Sequence, residues 1–190
     1  MKSRQMMLAL LAVFCLAFST ANAANPNEIK SELENYGEIT TWLALGYIPI
    51  TAGKETWQNS FDTDLLAATG GEAKIKPIGG QAVTLPLMKE LNLPDTQFTW
   101  KLAHTSTTDV GPLRKTQILR LFNKPDGDPL ENTSVYLYCQ LISPDELDGT
   151  FLLGSDDSVK IYLNGKEIHR AVGQRSAGEN QDSVNIHLQK

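Results

Sequence analysis

Short apolar runs, many alternating with polar residues, recur along the second half of the chain and are broken by Gly, Pro, Asn and Asp. Trp42 to Ile50 reads as a strand that Pro49 ends or confines to an edge. Residues 51 to 97 are mixed, with Gly70-Gly71, Gly79-Gly80, Pro77, Pro86 and Pro94 marking loops and at most one short helix. Phe98, Trp100 and Leu102 then alternate with Thr99 and Lys101, which assigns Trp100 to the core. Thr116 to Phe122, Ser134 to Ser143, Gly149 to Leu153, Ser158 to Leu163, Lys166 to Arg170 and Asp182 to Leu188 complete the set. Many short strands with few helical periods predict an all-β fold, an antiparallel sandwich or barrel in a single domain.

The sharpest local signal is Asn164-Gly165 between SVKIYL and KEIHR, a pair suited to the positive φ angles of a two-residue hairpin turn. In a regular register Leu163 faces Lys166, Ile161 faces Ile168 and Val159 faces Arg170. Val159, Ile161, Leu163 and Ile168 then share a packed face, while Lys160, Tyr162, Glu167 and His169 share a wet one.

The N-terminus follows a different pattern. Lys2 and Arg4 precede an apolar run from Met6 to Phe18 and an Ala21-Asn22-Ala23 site, the arrangement of a secretory signal peptide cleaved after Ala23. The 13-residue run is shorter than the roughly 20 residues a spanning helix needs. The expected organisation is a signal peptide over 1–23, a linker or short helix over 24–41, where Ile29 and Leu33 stand four apart, and a β-sandwich domain over 42–190. The expected location is secreted or periplasmic, with no membrane segment after cleavage.

Composition sharpens this picture. Seventeen basic against 22 acidic residues give a net charge of −5. The leader holds two of the basic residues and none of the acidic ones, so the processed chain is more anionic still. An anionic exported chain argues against a nucleic-acid partner. Loss of Cys15 with the leader leaves Cys139 without a disulfide partner, and its place between alternating Val135, Leu137 and Leu141 reads as a small buried hydrophobe.

The run GSDDSVKIYLNGKEIHR, Gly154 to Arg170, resembles the signature stretch of PA14-like and galactose-binding-like β-sandwiches (jelly rolls) of secreted bacterial proteins, with its Ser-Asp-Asp turn, aromatic strand and Asn-Gly hairpin. The resemblance extends more loosely over Trp42 to Lys190 and implies a usually non-catalytic module. In the modules it resembles, a further apolar strand follows the one at Asp182 to Leu188. Here the sandwich is expected either to lack that last strand or to fill its place with the N-terminal segment. Ser158 also stands where Gly is common. In some such adhesins the carboxylates matching Asp156 and Asp157 hold Ca²⁺ and, through it, sugar hydroxyls. The residues themselves leave two readings open, metal ligation or turn formation by a short carboxylate, since the sequence names two of the six to eight oxygens Ca²⁺ requires.

Two aromatic residues are candidates for stacking on a sugar ring: Trp57, in the polar stretch TWQNSFD, and Tyr162, on the wet hairpin face. His104, His169 and His187 form no close ligand pair, and neither a phosphate-binding loop nor a G-x-S-x-G elbow is complete, so no catalytic residue is assigned. Asn132-Thr133-Ser134 is a glycosylation sequon, relevant only in a glycosylating host. The leading expectation is a secreted, non-enzymatic module that binds carbohydrate or another extracellular polymer through Trp57, Tyr162, Asp156 and Asp157. A structural or protein-interaction domain of a larger exported assembly, pairing at an open sheet edge, is the alternative, and a glycoside hydrolase-associated fragment the third.

Overall fold

The computed structural model describes residues 10–17, 30–32, 39, 41–49, 61–85, 96–104, 133–176, 178 and 180–190. These residues are mostly β-strand with almost no helix. Among the described residues, eleven strands form three sheets: β1 (Leu10–Ala17), β2 (Lys30–Glu32), β3 (Thr41–Pro49), β4 (Ala82–Leu85), β5 (Thr96–Thr99), β6 (Lys101–His104), β7 (Thr133–Ile142), β8 (Leu147–Leu153), β9 (Val159–Leu163), β10 (Lys166–Ala171) and β11 (Asp182–Leu188). The main sheet runs β10-β9-β1-β7-β3-β6, with β2 also on β7. β8 pairs with β11, and β4 with β5.

The strand with the least alternation sits in the middle. TSVYLYCQLI of β7 is buried at nearly every position, as expected of a strand covered on both faces. On one face, Val135, Leu137, Cys139, Val159, Ile161 and Leu163 join Val184, Ile186 and Leu188 of β11 in one apolar cluster. On the other, Leu43, Leu45, Tyr136 and Tyr138 pack against Phe61, Leu65, Leu66, Ile75, Val83 and Trp100 in a second. Residues 61–85, expected as irregular connections, are therefore the second cover of the sheet. Cys139 and Trp100 are both fully buried, as their neighbours in sequence suggest.

The structure departs from expectation at four places, each for a physical reason. First, the expected all-antiparallel pairing is mixed: β1 runs parallel to both β7 and β9, and β2 runs parallel to β7. The apolar segment expected as the core of a removable leader thus takes an internal position in the sheet, where both its edges find backbone partners. Second, the 24–41 linker contributes β2, because pairing with Gln140 to Ile142 outweighs the weak helical spacing. Third, Trp100 separates two strands in different sheets. It pairs in the manner of β5, donating its N–H to the Gln81 carbonyl at 3.0 Å, while β6 crosses to β3, so that Leu102 is exposed. Thr116 to Phe122 lies outside the described residues.

The hairpin itself forms as expected, with Asn164 at φ 51 and Gly165 at φ 82 joining Leu163 to Lys166. Fourth, its register shifts between Glu167 and His169, so His169 pairs with Ile161 and Arg170 with Lys160. The one-residue bulge exchanges the faces of the residues beyond it. His169 leaves the expected wet face, and Arg170 joins Lys160, Tyr162 and Glu167. Nor is that face wet throughout: Lys160 is only 2 % exposed, while Glu167 and Arg170 stay exposed.

Candidate functional site

Two polar clusters are built on the β9–β10 unit. The first begins with a turn. Asp64 Oδ1 accepts the Leu66 N–H at 2.9 Å and both carboxylate oxygens accept the Glu72 N–H at 3.1 Å, closing residues 64–72 through the left-handed Gly70 and Gly71. The turn places Glu72 against the main sheet. There its Oε1 accepts the Tyr136 hydroxyl at 2.7 Å, and its Oε2 accepts the Lys160 ammonium at 2.7 Å and lies 3.2 Å from the Tyr162 hydroxyl. Lys160 Nζ also lies 5.0 Å from the Phe61 ring centre, and Arg170 covers the same ring at 5.2 Å.

A charge in so dry a place is tolerated only when paired and hydrogen-bonded, and Glu72 meets that condition with three donors. Toward solvent the network continues through Tyr162, 3.3 Å from Glu167 Oε2, to Arg170, which grips Glu167 at 2.8 and 2.9 Å and also reaches Asp62. Burial, then the negative charges of Glu72 and Glu167, push the Tyr162 phenol well above its ordinary pKa, so it stays a donor. The Arg170 hydrogen bonds hold Glu167 below the usual carboxylate range. Glu72 and Lys160 are 3 % and 2 % exposed, too enclosed to meet a substrate. Their chemistry is that of a pin between the 61–85 cover and the sheet.

The second cluster holds Asp156 and Asp157, both buried. Asp157 adopts φ 62; its N–H donates to the Arg175 carbonyl at 2.9 Å and its Oδ1 accepts the Arg175 N–H at 3.0 Å. Ser155 Oγ donates to the Asp157 carbonyl at 2.7 Å, and the Arg175 guanidinium reaches Ser155 Oγ, that same carbonyl at 3.2 Å and both oxygens of Asp182. The Arg175 hydrogen bonds lower the Asp182 pKa, helped by His169, whose Nε2 lies 3.3 Å away. Gly154 completes the loop: a Cβ there would stand 1.6 Å from the Gly178 carbonyl oxygen, so no larger residue fits.

The cation of this loop is the Arg175 guanidinium, which reaches the Asp157 carbonyl, and Asp157 Oδ1 serves the backbone of its own turn. Among the described residues no three His, Cys, Asp or Glu side chains converge as metal ligands. Of the expected ligand residues, Tyr162 belongs to the first cluster, Asp156 and Asp157 to the second, and Trp57 lies outside the described residues.

A third polar surface was not signalled by any motif. On the exposed side of β8–β11 a shallow groove of about 500 Å³ is lined by Asp148, Gly149, Thr150, Asn185, Ile186 and His187. His187 Nδ1 lies 2.8 Å from Asp148 and its Nε2 2.9 Å from Glu146, while Thr150 donates to Asn185 at 3.2 Å. The two carboxylates raise the His187 pKa, the hydrogen bond to Asp148 contributing most. Only the cross-strand registers His187 with Asp148 and Asn185 with Thr150 create this surface, and those registers span nearly forty residues of sequence.

No protein-family model, curated protein or solved structure matches this chain. No helix among the described residues is long and apolar enough to cross a membrane.

Proposed function

We propose that this chain is an exported, non-catalytic β-sandwich module of the jelly-roll kind, acting as a structural or protein-interaction domain within a larger exported assembly. The observation that carries this reading is how its polar side chains are used. Tyr162 and Asp157, the best-placed described candidates for ligand contact, are committed to holding loops on the sheet. What the scaffold then offers a partner is strand backbone, with β10 and β6 at the two ends of the main sheet path among the described residues. Added strands bind such sheets through main-chain hydrogen bonds, with alternate side chains supplying specificity. Sedimentation of the exported protein over a wide concentration range, run beside a polysaccharide panel, tests the reading. Association without a sugar response is expected; a strict monomer that binds a polysaccharide would overturn it.

That second outcome defines the competing reading, carbohydrate binding, which the β8–β11 groove favours. Its row of Asp148, Thr150, Asn185 and His187 supplies donors and acceptors of the kind sugar hydroxyls need. Thr150→Ala with Asn185→Ala would then abolish sugar binding while leaving the melting temperature within a few degrees.

A further inference from the structure

We infer that the gap between β7 and β9, filled here by Leu10–Ala17, is a strand-acceptor site that in the processed protein takes an apolar, proline-free strand from a partner polypeptide, parallel to β7. The inference rests on the export reading above, because it starts from removal of Leu10–Ala17 with the leader.

The gap is long, internal and lined on both sides by buried strands. β1 is in register with β7 from Leu10↔Thr133 to Ala17↔Gln140 and with β9 from Ala12↔Val159 to Leu16↔Leu163. Taking β1 away strips ladder partners from two strands inside the sheet at once. Buried backbone groups left in that state are costly, and a strand that restores them is strongly favoured.

Among the described residues, the processed chain has no replacement next to the gap. β2 pairs with β7 only over Gln140 to Ile142 and so meets the gap only at its last position, Gln140. The residues that would precede it, Ala24-Asn25-Pro26-Asn27-Glu28, include a proline without an N–H and three side chains poorly suited to a central strand.

The register also states what the occupant must be. Positions opposite Val135 and Val159, Leu137 and Ile161, and Cys139 and Leu163 belong to the first apolar cluster and call for apolar side chains. Positions opposite Tyr136 and Lys160, and Tyr138 and Tyr162, lie on the Glu72 face and exclude a further acid. The sequence LLAVFCLA satisfies both conditions.

The test uses the chain expressed with its own leader in an exporting bacterial host. Mass spectrometry of the harvested protein gives its N-terminus. It is then titrated with a labelled peptide carrying LLAVFCLA between solubilising lysines, and with the same peptide bearing Pro in place of its Phe. A chain beginning at Ala24 should bind the first peptide saturably, one to one, and the second at least about tenfold more weakly. No saturable binding to a correctly processed chain overturns the acceptor site and leaves export intact. An exported chain that keeps Leu10–Ala17 overturns the export reading and the acceptor site with it. A dimer that the peptide dissociates makes a second copy the occupant and overturns the assignment to a different partner. Independently, in full-length chain made without export, Phe14→Pro should lower the melting temperature by several degrees; an unchanged value overturns the inference even if the processed chain folds poorly.

Discussion

The two polar clusters on β9–β10 use the same chemistry at different depths. At Glu72 the carboxylate and the Lys160 ammonium are both almost wholly withdrawn from water, and the pair joins a cover segment to the sheet. At Asp182 the Arg175 guanidinium keeps roughly a quarter of its side chain exposed and holds two loops at the end of the sheet. The deep pair had to lose its hydration, so its value lies in completeness: remove one member and the other is stranded. The shallow pair can fall back on water.

The largest effect that separates them is therefore expected from Glu72→Ala, which should cost about 3–5 kcal/mol in urea unfolding by leaving Lys160 uncompensated. Replacing both partners together, Glu72→Leu with Lys160→Met, should recover part of that loss, since no buried charge remains. A double variant no more stable than the single one would show that the pin matters through Tyr136 and Tyr162 instead. Next in size is Arg175→Ala, expected to cost about 1.5–3 kcal/mol through its charge-assisted hydrogen bonds, with faster amide exchange confined to residues 154–158 and 173–182. Equal losses at the two sites would erase the distinction of depth.

The first of these effects could not have been anticipated from the chain alone. The β runs, the Asn164-Gly165 turn, buried Trp100 and buried Cys139 are all local matters, and all are legible in sequence. Lys160 is not, because its position in the alternation assigns it to a solvated face. What covers that face is a stretch without periodicity, residues 61–85, whose packing depends on long-range contact. The bulge at Ile168 is equally hidden, since nothing in KEIHR distinguishes a regular hairpin from a shifted one. A hint did exist in TSVYLYCQLI, whose continuous apolar character already implies two covered faces. A charged residue on the strand beyond it then implies a buried partner. The place of Leu10–Ala17 was illegible for another reason: an apolar run bounded by Lys2, Arg4 and an Ala-x-Ala site obeys leader rules, and leader rules say nothing of what the segment contacts while attached.

Acid acts on the shallow cluster. The folded-state pKa of Asp182 is depressed, so its contribution is present above the unfolded value near 4 and is lost as pH falls through the folded value. Thermal melts below pH 4 should show this loss in the parent protein and a weaker pH dependence in Arg175→Ala. A smaller effect of opposite sign is expected at His187. Its raised pKa adds stability that is complete below about 6.5 and disappears as pH rises through the folded value. Because the ring is exposed, the effect is best read by NMR titration, where Asp148→Asn should move the His187 midpoint down.

Amide exchange of the processed protein reads the sheet interior between β7 and β9 directly. Without an added strand, Thr133 to Gln140 and Val159 to Leu163 should exchange faster than the β8–β11 pair, and the LLAVFCLA peptide should slow them selectively. Full protection of both strands in the processed protein alone, unchanged by the peptide, would contradict the acceptor site.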